Sequence, residues 1–201
     1  MSFPQEYKGN ISLDVLNSFI NWHLLVNHVF NVEYPKVTLQ RIAWDYAQIQ
    51  VYGHLKFFND YKVLRYERTI IIEGKHFLSP ESSSPSLVNA IDMDYPIGLF
   101  LVSAKRNHDF DDLKANKYVY HYLAAAYAEA AAEYLSQLQN TKVIRPAFGY
   151  SLLPSHQGKR YAFDLLEIPE WCSLTTTNMI VPETSVCGMM IKPKQNSPDL
   201  M

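Results

Sequence analysis

The stretch that most constrains the fold of this chain is rich in alanine. Seven of the nine residues from Ala124 to Ala132 are alanine, the residue with the highest helix propensity. Large side chains recur around it at helical spacing and form one stripe, made of Leu123, Tyr127, Tyr134 and Leu138. The pattern predicts a helix over residues 112–139, about 40 Å long, with Asp109 or Asp111 as its N-cap. The fold must therefore accommodate one long helix.

Other parts of the chain have the pattern of β-strands. From Ile49 to Phe57 apolar residues occupy every second position, which is the period of a strand. The segment 63–72 is rich in β-branched and aromatic residues and follows a polar turn, so we expect it to pair with this strand as an antiparallel hairpin. The apolar run 97–103 predicts a strand buried on both faces, and 186–192 is also strand-like.

Shorter helices are predicted on either side of these strands. A first helix, capped by Ser12, should run toward Asn21, and a second, capped by Thr38, should end near Gln48. The segment 155–167 is amphipathic and predicts a third. Because strands and helices do not alternate regularly, the sequence predicts an α+β fold rather than a doubly wound parallel sheet.

Size and charge exclude several function classes. With 201 residues the chain is expected to form one domain that buries about 70% of its unfolded surface. Its 18 Lys and Arg are balanced by 20 Asp and Glu, so it lacks the basic surplus of a nucleic-acid-binding protein. No apolar run reaches the roughly 18 residues of a membrane span, and the N-terminus is polar where a signal peptide is apolar. We expect a cytoplasmic protein that binds neither nucleic acid nor a membrane.

Cysteine and glycine usage narrows the chemistry further. Cys172 and Cys187 form no Cys-x-x-Cys pair and have no histidine nearby in sequence, so neither a zinc motif nor a redox motif is present. Two reduced thiols are expected. The seven glycines form no phosphate-binding loop. The sequence predicts no metal site and no catalytic nucleophile.

The segment directly after the long helix, R-P-A-F-G-Y, has the composition of a ligand-binding loop. Arg145 offers a planar fork for a carboxylate, and Pro146 fixes the backbone beside it. Ala147 and Gly149 leave room for a ligand to approach the main chain. Tyr150 adds a flat face with a hydroxyl group. The alternative is a loop whose arginine pairs with a carboxylate of the helix.

An ordered set of motifs resembles a known family. The main motif comprises Arg145-Pro-Ala-x-Gly-Tyr150, Pro154-Ser-His156 and Lys159. Further motifs occur in the same order as in the family: Phe19-Ile-Asn-Trp22, Val51-Tyr-Gly53, Ile97–Ser103, Tyr127–Leu135, Leu174-Thr175 and Ser185-Val-Cys-Gly188. Together they resemble the reactivation domain of cobalamin-dependent methionine synthase, which carries R-P-A-P-G-Y followed by H-x-x-K. The likeness extends over most of the chain.

The resemblance implies a fold and a function. The fold would be a C-shaped α+β single domain over residues 1–201, in which a twisted antiparallel sheet is flanked by helices that include the long alanine-rich one. The function would be to bind S-adenosylmethionine and to supply its methyl group when oxidised cobalamin (vitamin B12) is reduced. The implied partners are the cobalamin-binding domain of a methionine synthase and flavodoxin, the usual electron donor. The resemblance also implies methyltransferase chemistry and a part in methionine biosynthesis.

The resemblance also implies site residues. Arg145 would hold the carboxylate of S-adenosylmethionine, while the main chain of Ala147 and the Gly149-Tyr150 pair would face its adenosine. Glu129 matches a family acid near the sulfonium. The alternative for Glu129 is an exposed helix glutamate, because Glu133, four residues on, is equally acidic and expected to be solvated.

The sequence departs from the family at ligand-binding positions. Asn21 replaces an aspartate, which exchanges a charged hydrogen bond for a weaker neutral one. Met190 replaces a tyrosine and so lacks a hydroxyl group and a stacking face. Gln139 replaces a second glutamate, and Phe148 replaces the second proline of the main motif.

Two functions follow from these matches and departures. The first is a stand-alone accessory module that binds S-adenosylmethionine and supports reductive methylation of cobalamin on a separate methionine synthase. The second is a non-catalytic protein that docks on a partner after losing S-adenosylmethionine. The chain is not a complete methionine synthase, because it has no D-x-H-x-x-G cobalamin motif and two cysteines where the enzyme's zinc site uses three.

Overall fold

The computed structural model describes residues 5–30, 35–46, 48–79, 87–106 and 114–194. Its strands are β1 (Glu6–Ile11), β2 (Gln50–Phe58), β3 (Tyr61–Leu64), β4 (Thr69–Ile72), β5 (Lys75–Leu78), β6 (Ile97–Lys105), β7 (Ser173–Leu174), β8 (Ile180–Val181) and β9 (Ser185–Met190). Its helices are α1 (Leu13–Leu16), α2 (Trp22–Leu24), α3 (Lys36–Arg41), α4 (Leu87–Ala90), α5 (Lys114–Gln137) and α6 (Gln157–Leu165). Short π-helical turns, Leu25–Val29 and Ile42–Tyr46, continue α2 and α3.

The main sheet is antiparallel and has β6 in its interior. In the described part of the chain its order is β1-β2-β6-β9, with Val51 opposite Ala104 and Leu101 opposite Cys187. Every residue of β6 except the last is buried, as the uninterrupted apolar run predicts for a strand covered on both faces. This mixture of helices and antiparallel sheets confirms the α+β prediction.

The long helix α5 covers one face of the main sheet. Its alanines are small enough to let the helix lie close to the strands, and Ala128, Ala131 and Ala132 are almost completely buried. They share an apolar core with Val51, Leu55, Phe100, Val102 and Met190. The predicted helix is therefore confirmed, although Asp109 and Asp111 lie outside the described residues.

The opposite face of the main sheet is covered by α6 and by the small sheet β3-β4-β5. Leu99, Leu101 and Met189 point to this side and pack in a second core with Ile70 and Phe77. Side chains of β6 and β9 thus alternate between two cores, as the two-residue period of a strand requires. Since both faces are occupied, a ligand can reach this sheet only along its edges.

Two local predictions need correction, and one strand was not predicted. The segment 63–72 does not pair with the strand before it; β4 pairs with β3 and with β5, whereas β2 pairs with β1 and β6. Long-range pairing has displaced the local hairpin, and β1 was not predicted at all. Thr38 does not cap the second helix, because α3 already begins at Lys36 after Pro35.

The first predicted helix is also divided. Ser12 caps α1 as predicted, its hydroxyl group accepting a hydrogen bond from the Asp14 amide. However, α1 ends at Leu16, and a new helix starts at Trp22. Asn21 caps that second helix, since its side-chain oxygen accepts a hydrogen bond from the Leu24 amide.

A buried histidine of β2 joins this strand to β1 and to the segment after α6. His54 is 1% exposed, with Nε2 2.6 Å from Oε1 of Glu6 and Nδ1 3.0 Å from the carbonyl oxygen of Glu167. We expect His54→Phe to lower the free energy of unfolding by about 2–3 kcal/mol, because it removes a hydrogen bond to a charged group and one of the two hydrogen bonds of the Glu167 carbonyl, which then keeps only the Tyr52 hydroxyl as its partner. Urea denaturation measures the change. His76→Phe, at an exposed position, is the control; equal effects of the two substitutions would contradict this role.

Candidate functional site

The segment after α5 runs beside β9 as an additional, irregular strand. The amides of Ile144 and Ile191 donate to each other's carbonyl oxygens at 2.8 and 3.0 Å. Further along, the Met189 amide donates to the Pro146 carbonyl, and the Phe148 amide donates to the Cys187 carbonyl, each at 3.0 Å. The predicted ligand-binding loop is thus fixed to the edge of the main sheet by backbone hydrogen bonds.

This pairing depends on a glycine in β9. At Gly188 an added Cβ would overlap the carbonyl oxygen of Pro146 and lie 2.8 Å from Cα of Ala147. The close approach therefore requires glycine, whatever its backbone angles. Gly188 belongs to the Ser185-Val-Cys-Gly motif, so two separate sequence matches meet at this point of the fold.

A cleft of about 720 Å³ opens between this segment, α5 and the beginning of β9. Its volume lies within the range of small-molecule sites, about 300–1,000 Å³. The residues that line it and could contact a ligand through polar groups are Glu129, Glu133, Ser136, Arg145, Ala147, Tyr150, Lys159, Glu183 and Ser185. The structure therefore brings together four of the seven predicted site residues: Glu129, Arg145, Ala147 and Tyr150.

Arg145 lies in the cleft and is already paired. Its guanidinium donates a hydrogen bond of 2.7 Å to Oε2 of Glu133, and its side chain is 26% exposed. The alternative interpretation, in which the arginine pairs with a carboxylate of the helix, is therefore confirmed. Arg145 also lines the cleft, and its binding of a ligand carboxylate stays a prediction. Glu133, expected to be solvated, is the partner that orients it, while Glu129 is exposed at the cleft without a hydrogen bond to the described residues.

The peptide groups of Ala147 face away from the sheet. Its neighbours Pro146 and Phe148 use their carbonyl and amide groups to bind β9, whereas Ala147 is opposite Gly188 in the pairing. Among the described residues neither the N–H nor the C=O of Ala147 has a hydrogen-bond partner. A donor and an acceptor therefore lie side by side in the cleft, which is what recognition of a polar heterocycle needs.

Tyr150 and Gly149 differ in their access to the cleft. Tyr150 lines it and is 71% exposed, so its ring is available to a ligand. Gly149 has a φ of +94°, and its amide donates to the Leu153 carbonyl at 2.7 Å. The His156 ring packs directly against Gly149 and covers the position of an added Cβ. Gly149 thus shapes the turn that presents Tyr150 rather than lining the cleft.

The other two predicted site residues lie away from the cleft. Asn21 is the N-cap of α2, and the Met190 side chain is fully buried in the core beneath α5. The residues at two further positions where the sequence departs from the family are also buried. Gln139 is completely buried and donates to the Leu135 carbonyl, and Phe148 stacks on Phe77 with ring centroids 5.7 Å apart.

The sequence interpretation missed Lys159 and Glu183 as lining residues. Lys159 was visible as the last residue of the main motif, but its position on α6 gave no indication that it would reach the same cleft as Arg145. Glu183 lies two residues before the start of β9, and no pattern in the sequence marked it. Both residues reach the cleft only because α6 and the β8–β9 connection pack beside the edge of the sheet.

The two cysteines are buried thiols. Burial raises the pKa of both Cys172 and Cys187, so neither forms a thiolate near neutral pH. We expect neither to react with iodoacetamide in the folded protein and both to react after unfolding in urea, as mass spectrometry of the alkylated chain would measure. Alkylation of either thiol in the folded state would contradict their burial.

Neither a metal-binding cluster nor a membrane-spanning helix occurs in the part of the chain that the structure describes. Within residues 5–30, 35–46, 48–79, 87–106 and 114–194, no group of three or more His, Cys, Asp or Glu side chains is placed to hold a metal ion. In the same described ranges no helix is both long enough and apolar enough to span a bilayer.

Comparison with known proteins identifies the family. A solved structure described as the crystal structure of the MetH reactivation domain bound to AdoHcy is similar to this chain, with a TM-score of 0.69 and 21% sequence identity. The similarity covers 98% of this chain and 79% of that one, and at this identity it establishes the fold alone. No curated protein matches the chain. A model of the vitamin B12 dependent methionine synthase activation domain matches residues 77–197. Because that match covers more than half of the 201 residues, the chain belongs to the family of vitamin B12-dependent methionine synthase activation domains.

Proposed function

We propose that this chain binds S-adenosylmethionine in the cleft beside Arg145 and presents its methyl group to reduced cobalamin. The observation that carries the proposal is the unpaired peptide group of Ala147 within the cleft. Ala147 lies two residues after Arg145 and three before Tyr150, whose ring is exposed, so groups suited to a carboxylate, a heterocycle and an aromatic face follow one another along one segment. AdoHcy, bound by the similar structure, is the demethylated form of S-adenosylmethionine.

The charges of the cleft support the same ligand. Glu129 and Glu183 are exposed carboxylates that line it, one from α5 and one from the β8–β9 connection. S-adenosylmethionine carries a positive sulfonium and a positive ammonium group, which carboxylates attract. The acidic side chains would therefore favour the methylated, positively charged ligand over a neutral nucleoside.

The residues of the cleft would act by positioning. Arg145 would hold the carboxylate, the main chain of Ala147 would bind the adenine, and Tyr150 would cover it. When bound, S-adenosylmethionine supplies the methyl group, so no residue of this chain needs to act as a nucleophile. The 201 residues contain no D-x-H-x-x-G motif, and we therefore propose that cobalamin is held by a cobalamin-binding domain outside them, with flavodoxin as the electron donor. We further propose that residues 1–201 act as one domain in this process.

Calorimetric titration with S-adenosylmethionine tests the binding step. We expect Arg145→Ala to weaken the affinity for S-adenosylmethionine about 10- to 100-fold, because the substitution removes a charge-assisted hydrogen bond to the ligand. Arg160→Ala is the matched control, because Arg160 is an exposed arginine of α6 that binds Asn178 and does not line the cleft. It should leave affinity unchanged. Absence of heat from the wild-type protein up to millimolar ligand would contradict the proposal.

A second function remains, because Asn21 and Met190 do not line the cleft and cannot add the contacts of the family residues they replace. In that case the chain would dock on a cobalamin-binding domain without S-adenosylmethionine. Capture of a purified cobalamin-binding domain, with and without S-adenosylmethionine, distinguishes the two. Capture with an empty cleft supports docking alone, and capture strengthened by S-adenosylmethionine supports the first function.

A further inference from the structure

Lys159 lines the cleft with a largely buried side chain that has no partner among the described residues. It is the third residue of α6, on the face that also buries Gly158 and Ala162. Its side chain is only 9% exposed. Within the described part of the chain it makes no hydrogen bond and no ion pair. Charged side chains are rarely buried in this way unless something pairs with them.

The groups around Lys159 do not neutralise its charge. The thiol of Cys187 on β9 interacts electrostatically with Lys159, but burial raises the pKa of this thiol, so it is neutral. On α5 the carboxylate of Glu133 is bound to Arg145, and Glu129 is exposed. Glu183, before β9, is exposed too. None of these carboxylates lies within ion-pair distance of Lys159. Desolvation lowers the pKa of the Lys159 ammonium group accordingly.

The charged groups that line the cleft differ in their exposure. Lys159 is largely buried and has no partner among the described residues, while the partly buried Arg145 is neutralised by Glu133. The carboxylates of Glu129 and Glu183 are exposed to solvent. A ligand that fits this distribution carries an anionic group at the end that enters the cleft and positive charge nearer the solvent.

We propose that Lys159 is a ligand-binding residue of the cleft and that it donates hydrogen bonds to the carboxylate of the bound ligand. The inference rests on the proposed function, in which the ligand is S-adenosylmethionine and the carboxylate is its single anionic group. Lys159 gives the cleft a second cation besides Arg145. Unlike Arg145, Lys159 is not paired with Glu133. Lys159 thereby selects nucleosides that retain the amino-acid carboxylate.

A cycle of two proteins and two ligands tests this role. S-adenosylmethionine and decarboxylated S-adenosylmethionine are titrated into the wild-type protein and Lys159→Met, which keeps the length of the side chain but removes its charge. We expect the substitution to weaken binding of S-adenosylmethionine about 10- to 100-fold and to change affinity for the decarboxylated ligand less than about twofold. Lys62→Met, at an exposed lysine of β3, should change neither affinity.

The outcomes separate the inference from the proposed function. If S-adenosylmethionine binds and Lys159→Met leaves its affinity unchanged, Lys159 is not a ligand-binding residue and the proposed function stands. If Lys159→Met weakens the binding of both ligands equally, the lysine has a structural role and the inference is wrong. If the wild-type protein binds neither ligand, both proposals fail. Lys159→Gln, which retains a hydrogen-bond donor, takes the place of Lys159→Met if that variant does not fold.

The unpaired charge also affects the ligand-free protein. Because the pKa of Lys159 is lower in the folded state than in the unfolded state, its burial costs stability in full below the folded pKa, and the cost falls as pH rises toward the unfolded pKa. We expect Lys159→Met to raise the urea midpoint near neutral pH, with a gain that shrinks in alkaline buffer. A lower midpoint at neutral pH would show that the ammonium group is satisfied without ligand, contrary to the inference.

Discussion

Gly188→Ala is expected to lower the free energy of unfolding by about 3 kcal/mol, the upper end of the cost of overpacking a buried site. The added Cβ would overlap the Pro146 carbonyl oxygen and lie 2.8 Å from Cα of Ala147. All these atoms belong to the backbone, so no rotation of a side chain can relieve the contact. The amide of Met189 would also lose its hydrogen bond to Pro146 as the two segments separate. Urea denaturation followed by circular dichroism measures the change.

Gly53→Ala is the matched control for this prediction. Gly53 is also a buried glycine of the main sheet, in β2, but its added Cβ would meet only side-chain ends, Cδ1 of Ile11 at 2.9 Å and Cδ1 of Leu135 at 3.4 Å. These groups can move, so the cost should be smaller than at Gly188. Equal losses at the two positions would contradict the view that the cleft segment depends on Gly188. Gly188→Ala should also abolish S-adenosylmethionine binding, because Arg145 and Ala147 move with that segment.

Phe148→Ala is expected to lower the free energy of unfolding by about 3–5 kcal/mol, the usual cost of removing a buried phenylalanine ring. Phe148 is 2% exposed, stacks on Phe77, and fills the space left by Gly158, whose added Cβ would lie 3.0 Å from Cγ of the ring. The ring therefore joins the cleft segment to both α6 and the β3-β4-β5 sheet. The measurement is the urea midpoint and slope of the variant.

Tyr150→Ala provides the comparison within the same segment. Tyr150 is two residues from Phe148 and is mostly exposed. Its removal should therefore change the free energy of unfolding by less than about 0.5 kcal/mol, while it weakens the binding of S-adenosylmethionine. If Phe148→Ala lowers the free energy of unfolding by less than about 1 kcal/mol, Phe148 does not join the cleft segment to α6 and the β3-β4-β5 sheet as described. The departure from the family's second proline would then have no structural explanation.

The parts of the fold that the sequence predicts correctly are those with a strong local period. The alanine-rich helix α5, the alternating strand β2 and the apolar strand β6 each carry their own pattern over nine or more residues. The hairpin failed because strand partners are chosen by long-range packing. β2 pairs instead with β6, which follows β3, β4 and β5 in the chain and is buried at every residue except the last.

The candidate site was predictable where one continuous segment carries it. Arg145, Ala147 and Tyr150 are neighbours in sequence and line one cleft in the structure. Met190 shows why a single-position match is weaker evidence. Consecutive residues of β9 point to opposite cores, with Met189 in one and Met190 in the other, so whether such a residue faces a ligand depends on strand pairing. Likewise, whether Lys159 reaches the cleft depends on how α6 packs.

The central claim, that the cleft beside Arg145 binds S-adenosylmethionine, is tested most directly by a crystal structure of this chain grown with S-adenosylhomocysteine, which cannot lose a methyl group. The account predicts electron density for the nucleoside in the cleft, with its adenine hydrogen-bonded to the peptide group of Ala147 and its carboxylate at Arg145 and Lys159. An empty cleft at saturating ligand, or a nucleoside bound elsewhere on the molecule, would contradict it.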